Sequence, residues 1–565
     1  MKRFKDTITR QLKELTGLDK ISLEIPPDLD MGDFAFPCFV LSKKLKKSPQ
    51  QIAQDLCRQF RLGEGIEKAE VKGAYVNFFI DKDSLATAVL PKIQEERSSY
   101  GKATDTGVIQ LIESPSPNTN KPLHLGHLRN IVLGDALSQL SRFAGKQVHI
   151  IDIVNDRGIH ICKSMLAYQR WGDGQTPQST GIKPDHFVGS YYVRFCKEAK
   201  KDPSLEDQAQ EMLLRWESGD KETIKLWKTM NSWVLEGFEQ TYKRLGFKIE
   251  KHYFESETYT HGKEIVLKGL KEDIFSKEED GKIIADLTDK GLDKKVLLRS
   301  NGTSVYMTQD IYLAKLRYQD YRFDEMIYVV ANEQEYHFKV LFEIFDLLRY
   351  PFAQNCTHLS YGMVELPDGK MKSREGNVVD IDDLLEELMA MTKKELSKRY
   401  PDISKDDLLR RSKEISDAAF RFFLLKHDPL KNIRYDPKAS LSFEGETGPY
   451  VQYTHARICS ILRKAGQVPD DPELRLLREK ETQKIIKMLA HYPQVVEQAA
   501  LRYNPSLLTR YLLDLCQSFN EFYHAYPVLK EEKDVRFDRL YLIDCVRIVI
   551  AGGLKLCGIS PIQKM

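Results

Sequence analysis

Apolar and polar positions change their period along this chain and divide it into three predicted regions. Residues 1–105 mix helical and strand-like spacing, which predicts a separate small α/β domain. Residues 106–400 alternate short apolar runs with amphipathic segments, which is typical of a parallel sheet covered by helices on both faces. Residues 401–565 hold long amphipathic segments without strands, so we expect an α-helical bundle there.

The middle region predicts a Rossmann-like, doubly wound sheet. Its predicted elements are strand 108–113, a helix from about 125, strand 148–154, helix 157–170, strand 326–331, helix 336–348 and strand 357–366. A charged helical stretch at about 173–250 interrupts the alternation, and we interpret it as an insert. Ligands of such sheets bind at the carboxyl ends of the strands. The side chains that follow each strand are therefore the first candidates for chemistry.

The two flanking regions have simpler predictions. In the first, we expect helices at 2–16 and 49–60 and strands at 21–25, 69–71 and 75–80; in the last, five helices at 407–427, 450–465, 480–501, 506–525 and 538–557.

Composition narrows the class of protein. A chain of 565 residues exceeds a single hydrophobic core, in agreement with three domains. Its 85 basic and 83 acidic residues give a net charge of +2, which excludes a uniformly basic RNA-coating surface but not a local basic face. Nine cysteines are scattered without a Cys-x-x-Cys pair, so we expect a reducing cytoplasm and no structural metal. No run approaches the roughly 18 apolar residues that a membrane span needs.

Two histidines follow the first predicted strand of the middle region. They lie in Pro122-Leu-His-Leu-Gly-His127, where an amphipathic helix begins. Unpaired N–H groups and the positive end of the dipole favour an anion at such a helix start. His124 and His127 would add imidazole donors, and Gly126 would let a flat group approach the backbone. A pair of helix-capping histidines is the alternative, and the tetrapeptide alone leaves both open.

A basic loop follows the last predicted strand. It spans Asp368–Asn377, has glycines near both ends, and contains Lys370, Lys372 and Arg374. The glycines would let this loop close on phosphates. A solvated charged turn is the alternative for the loop taken by itself.

Together the two segments resemble the signature motifs of class I aminoacyl-tRNA synthetases, HIGH and KMSKS, here His124-Leu-Gly-His127 and Lys370-Met-Lys-Ser-Arg374. The neighbouring stretches Ser116–Pro122 and Ser373–Asn377 resemble arginyl-tRNA synthetases within that class, and the resemblance extends over essentially the whole chain. It implies that L-arginine is activated with Mg²⁺ and ATP to arginyl-adenylate and then transferred to the 3′ end of tRNA(Arg).

The resemblance also implies roles for individual residues. The implied catalytic residues are Lys121, His124, His127, Lys370, Ser373 and Arg374, and the implied ATP-binding residues are His124, Gly126, His127, Met371 and Lys372. One departure matters. Arg374 stands where the class pattern has its second lysine. The resemblance to arginyl-tRNA synthetases implies that Lys121, just before the histidines, takes over the role of that missing lysine.

A pocket for arginine should contain acids at strand ends. A guanidinium is planar and permanently charged, so its fixed donors suit fork-matched carboxylates. Glu113 ends the first strand, and Asp310 lies one turn after Tyr306 if that segment is helical. The resemblance implies an arginine pocket of Glu113, Asn118, Tyr306, Asp310 and Gln334, with the acids on the guanidinium. Taken singly, Asp310 could be a helix N-cap and Tyr306 a core residue.

Contacts with tRNA are implied at both ends of the chain. The first domain of arginyl enzymes grips the tRNA elbow, and Tyr75 and Asn77 fall in the matching stretch, although the strand around them could simply be core. The last region resembles their anticodon-binding domain. There, Tyr453 and Arg457 could stack on and clamp a base, or could only pack. The family's habit implies a monomer.

Two other functions stay open at this stage. A different nucleotidyl-transferring enzyme of the same fold, or a synthetase for another amino acid, would keep the histidines and the basic loop but lose the set of Glu113, Tyr306 and Asp310. A non-catalytic RNA-binding relative would keep the helical domain. Arginine-dependent exchange of pyrophosphate into ATP separates these alternatives.

Overall fold

The computed structural model describes residues 1–26, 29–365, 379–467 and 472–565. The N-terminal part folds around a small antiparallel sheet with the strand order β1-β3-β2. Its elements are α1 (Lys2–Thr16), β1 (Phe34–Pro37), α2 (Phe39–Leu45), α3 (Pro49–Gln59), β2 (Ile66–Lys72), β3 (Tyr75–Ile80) and α4 (Lys82–Glu96). The predicted strand at 21–25 is wrong. Only Glu24 forms a bridge, to Ala35, and Pro26 next to this segment lacks the N–H that a longer ladder would need.

Five parallel strands form the central sheet, in the order β11-β10-β4-β5-β6. The elements of this part are β4 (Ile109–Glu113), α5 (Leu125–Phe143), β5 (Gln147–Val154), α6 (Ile159–Trp171), α7 (Pro177–Thr180), α8 (Pro184–Ala199), α9 (Ser204–Glu217), α10 (Lys221–Leu245), β6 (Lys251–Phe254), α11 (Glu255–Thr258), α12 (Gly262–Lys271), β7 (Ser276–Lys277), β8 (Ile283–Ala285), β9 (Lys295–Leu298), α13 (Tyr306–Tyr321), β10 (Glu325–Ala331), α14 (Glu335–Leu347), β11 (Cys356–Tyr361), β12 (Val364–Glu365) and α15 (Ile381–Arg399).

This sheet confirms the doubly wound prediction. Its two faces are covered by separate hydrophobic clusters, and successive residues of β4 point into different ones: Leu111 packs with α13 and α14, and Ile112 packs with α5. The chain winds from β4 outward to β5 and β6, then returns to add β10 and β11 on the other side of β4. The strand order therefore reverses between β4 and β10, which is where such folds bind ligands.

Two differences from the predicted strands affect the site. The edge strand β6 was not predicted, because it is only four residues long and begins with two polar side chains. The predicted strand 357–366 is interrupted: β11 ends at Tyr361, and β12 pairs instead with β13 (Ile433–Arg434). Gly362 lies in the gap, where an added Cβ would come within 2.5 Å of the backbone of Lys431.

The last part of the chain is helical, as predicted. It consists of α16 (Lys405–Leu425), α17 (Pro437–Ser440), α18 (Gly448–Ala465), α19 (Lys480–Leu501), α20 (Ser506–Ala525) and α21 (Lys533–Leu556). Helix α4 packs against this bundle: the Tyr100 hydroxyl just beyond it donates to Leu489 O at 3.0 Å, and Gln94 donates to Asp544 at 2.8 Å. Among the described helices, none is long and apolar enough to cross a membrane.

Candidate active site

A cleft of about 910 Å³ opens at the carboxyl ends of β4 and β10, the point where the strand order reverses. Eight of the residues predicted for catalysis or substrate binding line it: Glu113, Lys121, His124, Gly126, His127, Tyr306, Asp310 and Gln334. These residues come from two segments, 113–127 and 306–334, whose nearest residues are 179 positions apart in the chain. The fold therefore brings both predicted halves of the site, the histidine turn and the arginine pocket, to one cavity.

The histidine turn caps helix α5. His124 is the N-cap residue, and its Nδ1 accepts the backbone N–H of Gly126 at 3.2 Å. Nδ1 of His127 accepts the backbone N–H of His124 at 3.1 Å. These two bonds form a capping box, in which each ring uses Nδ1 as an acceptor. A neutral imidazole that accepts at Nδ1 carries its proton on Nε2, so each ring keeps one N–H donor for a ligand.

Both rings are neutral near pH 7. Burial lowers the pKa of His124 to about 3, and the positive charge of Lys121 adds to this effect although Asp380 opposes it. Burial also holds the pKa of His127 well below its usual value, with His124 and Lys121 as further causes. Burial lowers the pKa of Lys121 itself. The turn therefore offers two neutral donors and one nearby ammonium group.

Both acids of the predicted arginine pocket have partners within the chain. Glu113 Oε2 lies 2.5 Å from Nη1 of Arg317, and both side chains are buried. Asp310 Oδ2 lies 2.8 Å from Nε2 of His337. Asp310 is in the first turns of α13, which begins at Tyr306, so the two are one helical turn apart as predicted. Val305 is the N-cap residue of that helix, so Asp310 does not cap it.

The remaining arginine-pocket residues differ in exposure. Tyr306 is 79% exposed, which excludes a core role, and lies on the wall of the cleft. Gln334 also borders the cleft, at the end of β10. Asn118 is exposed and forms a parallel bridge with Asn155, but it is outside the set of residues that line the cleft.

The predicted second motif, with Lys370, Met371, Lys372, Ser373 and Arg374, lies outside the described residues. The described chain on either side of it reaches the site. Glu365 lines the cleft. Val379 O accepts the N–H of Leu125 at 3.1 Å, and the N–H of Ile381 donates to Leu123 O at the same distance. The residues before and after the basic loop are therefore at the cleft and the histidine turn.

Arg129, the second residue after His127, was not among the predicted functional residues. It is fully buried, and its guanidinium donates to the carbonyls of Gly362, Met363, Pro429 and Lys431. Next to it, Asn130 donates to Val329 O and accepts from the Ser114 hydroxyl. Helix α5 thus fixes the ends of β4, β10 and β11 relative to the histidines. The tetrapeptide motif gives no signal for this role, because the partners are main-chain atoms far along the chain.

Glu255 is a third acid near the predicted arginine pocket, and the sequence did not predict it. It follows β6 directly, is buried, and has Arg157 Nη1 at 3.7 Å. Burial raises its pKa to about 7; Arg157 opposes this, while Asp156 and Asp310 add to it. The signal that could have found it is its place at a strand end, which was hidden because β6 was not predicted.

One group of potential metal ligands near the start of α15 already has a lysine as its partner. In the described part of the chain, one group of potential ligands is close enough to share an ion: Asp185, His186 and Asp382. Lys183 already occupies it, with Nζ 3.1 Å from Asp185 and 2.7 Å from Asp382. The two acids and His186 therefore serve to join α8 to the start of α15.

The four residues predicted to touch tRNA have different surroundings. Tyr75 packs edge-on against the exposed ring of Phe39, with 5.5 Å between centroids. Asn77 is buried, and its amide donates to Met31 O at 2.7 Å. Tyr453 is exposed on α18, and Arg457 lies over the ring of Tyr523 at 4.7 Å. Both regions predicted to contact tRNA therefore present an aromatic ring at the surface, Phe39 in one and Tyr453 in the other.

Known families account for nearly the whole chain. Residues 2–80 match the "Arginyl tRNA synthetase N terminal domain", residues 90–436 the catalytic domain described as "tRNA synthetases class I (R)", and residues 451–565 the "DALR anticodon binding domain". The arginine–tRNA ligase of Treponema denticola is 47% identical over 97% of this chain and 95% of its own length. The enzyme of Treponema pallidum is 44% identical over 100% and 99%.

Solved structures agree with these sequence matches. The arginyl-tRNA synthetase of Thermus thermophilus superimposes with a TM-score of 0.88 at 28% identity, over all of both chains. The arginyl-tRNA synthetase of Plasmodium falciparum shares the fold, with a TM-score of 0.81 at 19% identity over 100% of this chain and 99% of its own. With the histidine turn and the acidic pocket at the point where the strand order reverses, these matches show that the chain belongs to the arginyl-tRNA synthetase family of class I enzymes.

Proposed function

We propose that this chain joins L-arginine to tRNA(Arg) in two steps at the cleft described above. In the first, the carboxylate of arginine attacks the α-phosphorus of Mg·ATP, which forms arginyl-adenylate and releases pyrophosphate. In the second, a hydroxyl of the 3′-terminal ribose of tRNA attacks the adenylate and releases AMP. The main support is that the histidine turn and the acidic pocket share one cleft in a chain with full-length arginine–tRNA ligase relatives.

The histidine turn would act on the phosphates. Transfer at phosphorus needs the protein to position the groups and to neutralise charge that builds on the oxygens. His124 and His127 would each donate from Nε2, and Lys121 would supply positive charge beside them. We assign Lys370, Ser373 and Arg374 to the same task, and Gly126, Met371 and Lys372 to ATP binding, on the family resemblance. Mg²⁺ would enter with ATP as part of the substrate.

The acidic pocket would hold the side chain of arginine. Asp310 and Glu113 would accept hydrogen bonds from the guanidinium, and Tyr306 at the mouth of the cleft would cover it. We assign Asn118 and Gln334 to the other end of the amino acid. A pocket of this kind rejects analogues that leave its buried polar groups unpaired, so it can be selective without an editing domain.

The tRNA would touch both ends of the chain. Tyr75 with Phe39, and Tyr453 with Arg457, offer the exposed rings on which unstacked bases bind. The burial of Asn77 suggests that it acts by holding the carbonyl of Met31 in place near Tyr75. We expect the enzyme to work as a cytoplasmic monomer, and light scattering in solution tests the oligomeric state.

Exchange of labelled pyrophosphate into ATP tests the proposal directly. Each of the twenty amino acids is supplied alone, with and without tRNA(Arg), because arginyl enzymes typically need bound tRNA before they activate the amino acid. We expect exchange with arginine and tRNA, and at most traces with lysine. Exchange that depends on another amino acid would assign a different synthetase activity. Absence of exchange under all conditions would favour the non-catalytic RNA-binding alternative.

A further inference from the structure

The chain places an arginine of its own inside the pocket proposed for the substrate arginine. Arg317 lies two turns after Asp310 on α13 and lines the same cleft as Glu113. Its Nη1 is 2.5 Å from Glu113 Oε2, and the side chain is only 1% exposed. The sequence predicted two carboxylates, Glu113 and Asp310, for the guanidinium of the substrate. The ion pair with Arg317 neutralises the charge of Glu113, so the pocket is less negative than the sequence predicted.

The second oxygen of Glu113 is also engaged. Oε1 accepts the hydroxyl of Ser116 at 3.1 Å, and the same hydroxyl accepts the N–H of Ile153 at 3.2 Å. Ser116 has a φ of 55°, in the left-handed region, which brings its side chain back toward the end of β4. Glu113 is therefore held from two sides and does not offer a free fork to a ligand.

Arg317 is held as a cation by more than Glu113. Its guanidinium carbon lies 5.3 Å from the ring centre of Tyr253 and 5.9 Å from that of Tyr328, within reach of a cation–π interaction. Burial alone would lower the pKa of Arg317, but the negative charge of Glu113 outweighs it and the pKa is raised. Nε and Nη2 have no hydrogen-bond partner among the residues that the structure describes. The pair with Glu113 is thus the main polar contact of this side chain.

We propose that Arg317 is a specificity-determining residue, which cancels the charge of Glu113 so that the pocket selects its ligand by hydrogen-bond geometry more than by net charge. This rests on the proposed arginine specificity. The ammonium of lysine is a compact charge and gains mainly from surplus negative charge, whereas a guanidinium also gains from acceptors in fixed directions. Removal of the surplus charge therefore penalises lysine more than arginine. Glu113 would still accept a hydrogen bond from the guanidinium, while Asp310, whose ion-pair partner is His337, keeps a negative charge that no arginine of the described chain pairs with.

Competition in the exchange assay tests this role. Lysine and citrulline are added as inhibitors against arginine in the presence of tRNA(Arg); citrulline has the shape of arginine without its charge. We expect R317M to lower the inhibition constant of lysine at least tenfold and to change that of citrulline less than threefold, because Glu113 is left without its countercharge. R317K keeps the charge, so both constants should stay within threefold of the wild type.

A second pair of variants covers the case in which R317M does not fold. E113Q leaves Arg317 unpaired, so lysine should bind at least tenfold more weakly with less change for citrulline. In E113Q/R317M both charges are gone, and the lysine constant should return to within threefold of the wild type. Weaker binding of both inhibitors by R317M, or no recovery in the double variant, would overturn the proposal. If the wild type shows no arginine-dependent exchange, it is the proposed function that fails.

Discussion

His127 Nδ1 accepts the backbone N–H of His124 at 3.1 Å, while Nδ1 of His124 accepts that of Gly126 at 3.2 Å. The two interpretations of these histidines, as helix caps and as donors to a ligand, are therefore compatible. One nitrogen of each ring holds the start of α5, and the other is left for a ligand in the cleft. The cap also sets the tautomer, because a ring that accepts at Nδ1 must carry its proton on Nε2.

Substitution of His127 should separate the two roles. In H127Q, the side chain can still reach back to the N-cap N–H, as glutamine does at this position of a capping box. We expect the melting temperature of H127Q to stay within about 2 °C of the wild type, because the cap is kept and the change resembles a surface substitution. The rate of pyrophosphate exchange should fall by roughly 10² or more, as it does when an enzyme loses one hydrogen-bond donor that stabilises charge in the transition state. H127A should lose the activity and also about 1 kcal/mol of unfolding free energy. Normal turnover by H127Q would limit this ring to capping.

Lys121 should control the alkaline side of the pH profile. Burial lowers its pKa below the ordinary value of 10.5, so the ammonium that we propose to face the phosphates is lost as pH rises through that lowered pKa. We expect kcat of exchange to fall in that range, and K121R to move the fall to higher pH because arginine keeps its charge. K121A should depress adenylate formation strongly and leave arginine binding nearly intact, as measured by calorimetry. Unchanged turnover of K121A would refute the role.

The buried His491 of the helical bundle should make the free energy of unfolding decrease at acid pH. Burial lowers the pKa of His491 to about 4, with Lys487 and the N-terminal amine as further causes. The folded-state pKa of His491 lies below the unfolded value near 6.5. The neutral ring therefore contributes fully to the free energy of unfolding above pH 6.5, and this contribution is lost as pH falls toward 4. Between pH 7.5 and 5, the wild type should lose roughly 2 kcal/mol more unfolding free energy than H491Q. If urea titrations at pH 7.5 and pH 5 show the same loss of unfolding free energy for the wild type and for H491Q, this prediction is contradicted.

The sequence was most informative where a residue acts through its own neighbours. The periodicity identified four of the five parallel strands. Five of the eight predicted residues that line the cleft lie at the end of β4 or in the turn and helix start that follow it: Glu113, Lys121, His124, Gly126 and His127. The capping geometry of His124 could also be stated in advance, because both partners lie within three residues.

Partners distant in sequence could not be predicted. Arg317 is 204 positions from Glu113 in the chain. In the sequence of α13 it cannot be told apart from the exposed charged residues of an ordinary amphipathic helix. Glu255 was missed because β6 is too short to be recognised by period. The contact of Arg129 with Lys431 joins the first strand–helix unit of the sheet to the segment between α16 and α17, and no local pattern encodes it.

Arg129 should affect ATP more than arginine when it is replaced. Its guanidinium binds the carbonyls of Gly362 and Met363, and Met363 to Glu365 form a wall of the cleft next to α5, the helix that begins at the histidines. R129K retains one cationic donor group but not the fork, so this wall should shift. We expect the KM for ATP to rise at least tenfold in exchange, with the KM for arginine within threefold of the wild type.

Arg421 provides the matched control for R129K. It is also a buried arginine bound to α5, with Nη1 2.7 Å from Asp135, and it donates to Leu245 O, but neither Arg421 nor Asp135 lines the cleft. R421K should therefore lower the melting temperature, as R129K should, without a selective change in the KM for ATP. A buried charge that loses part of its hydrogen bonding costs stability in either place. If the two variants change both KM values alike, Arg129 supports the fold in general and does not position the wall of the cleft.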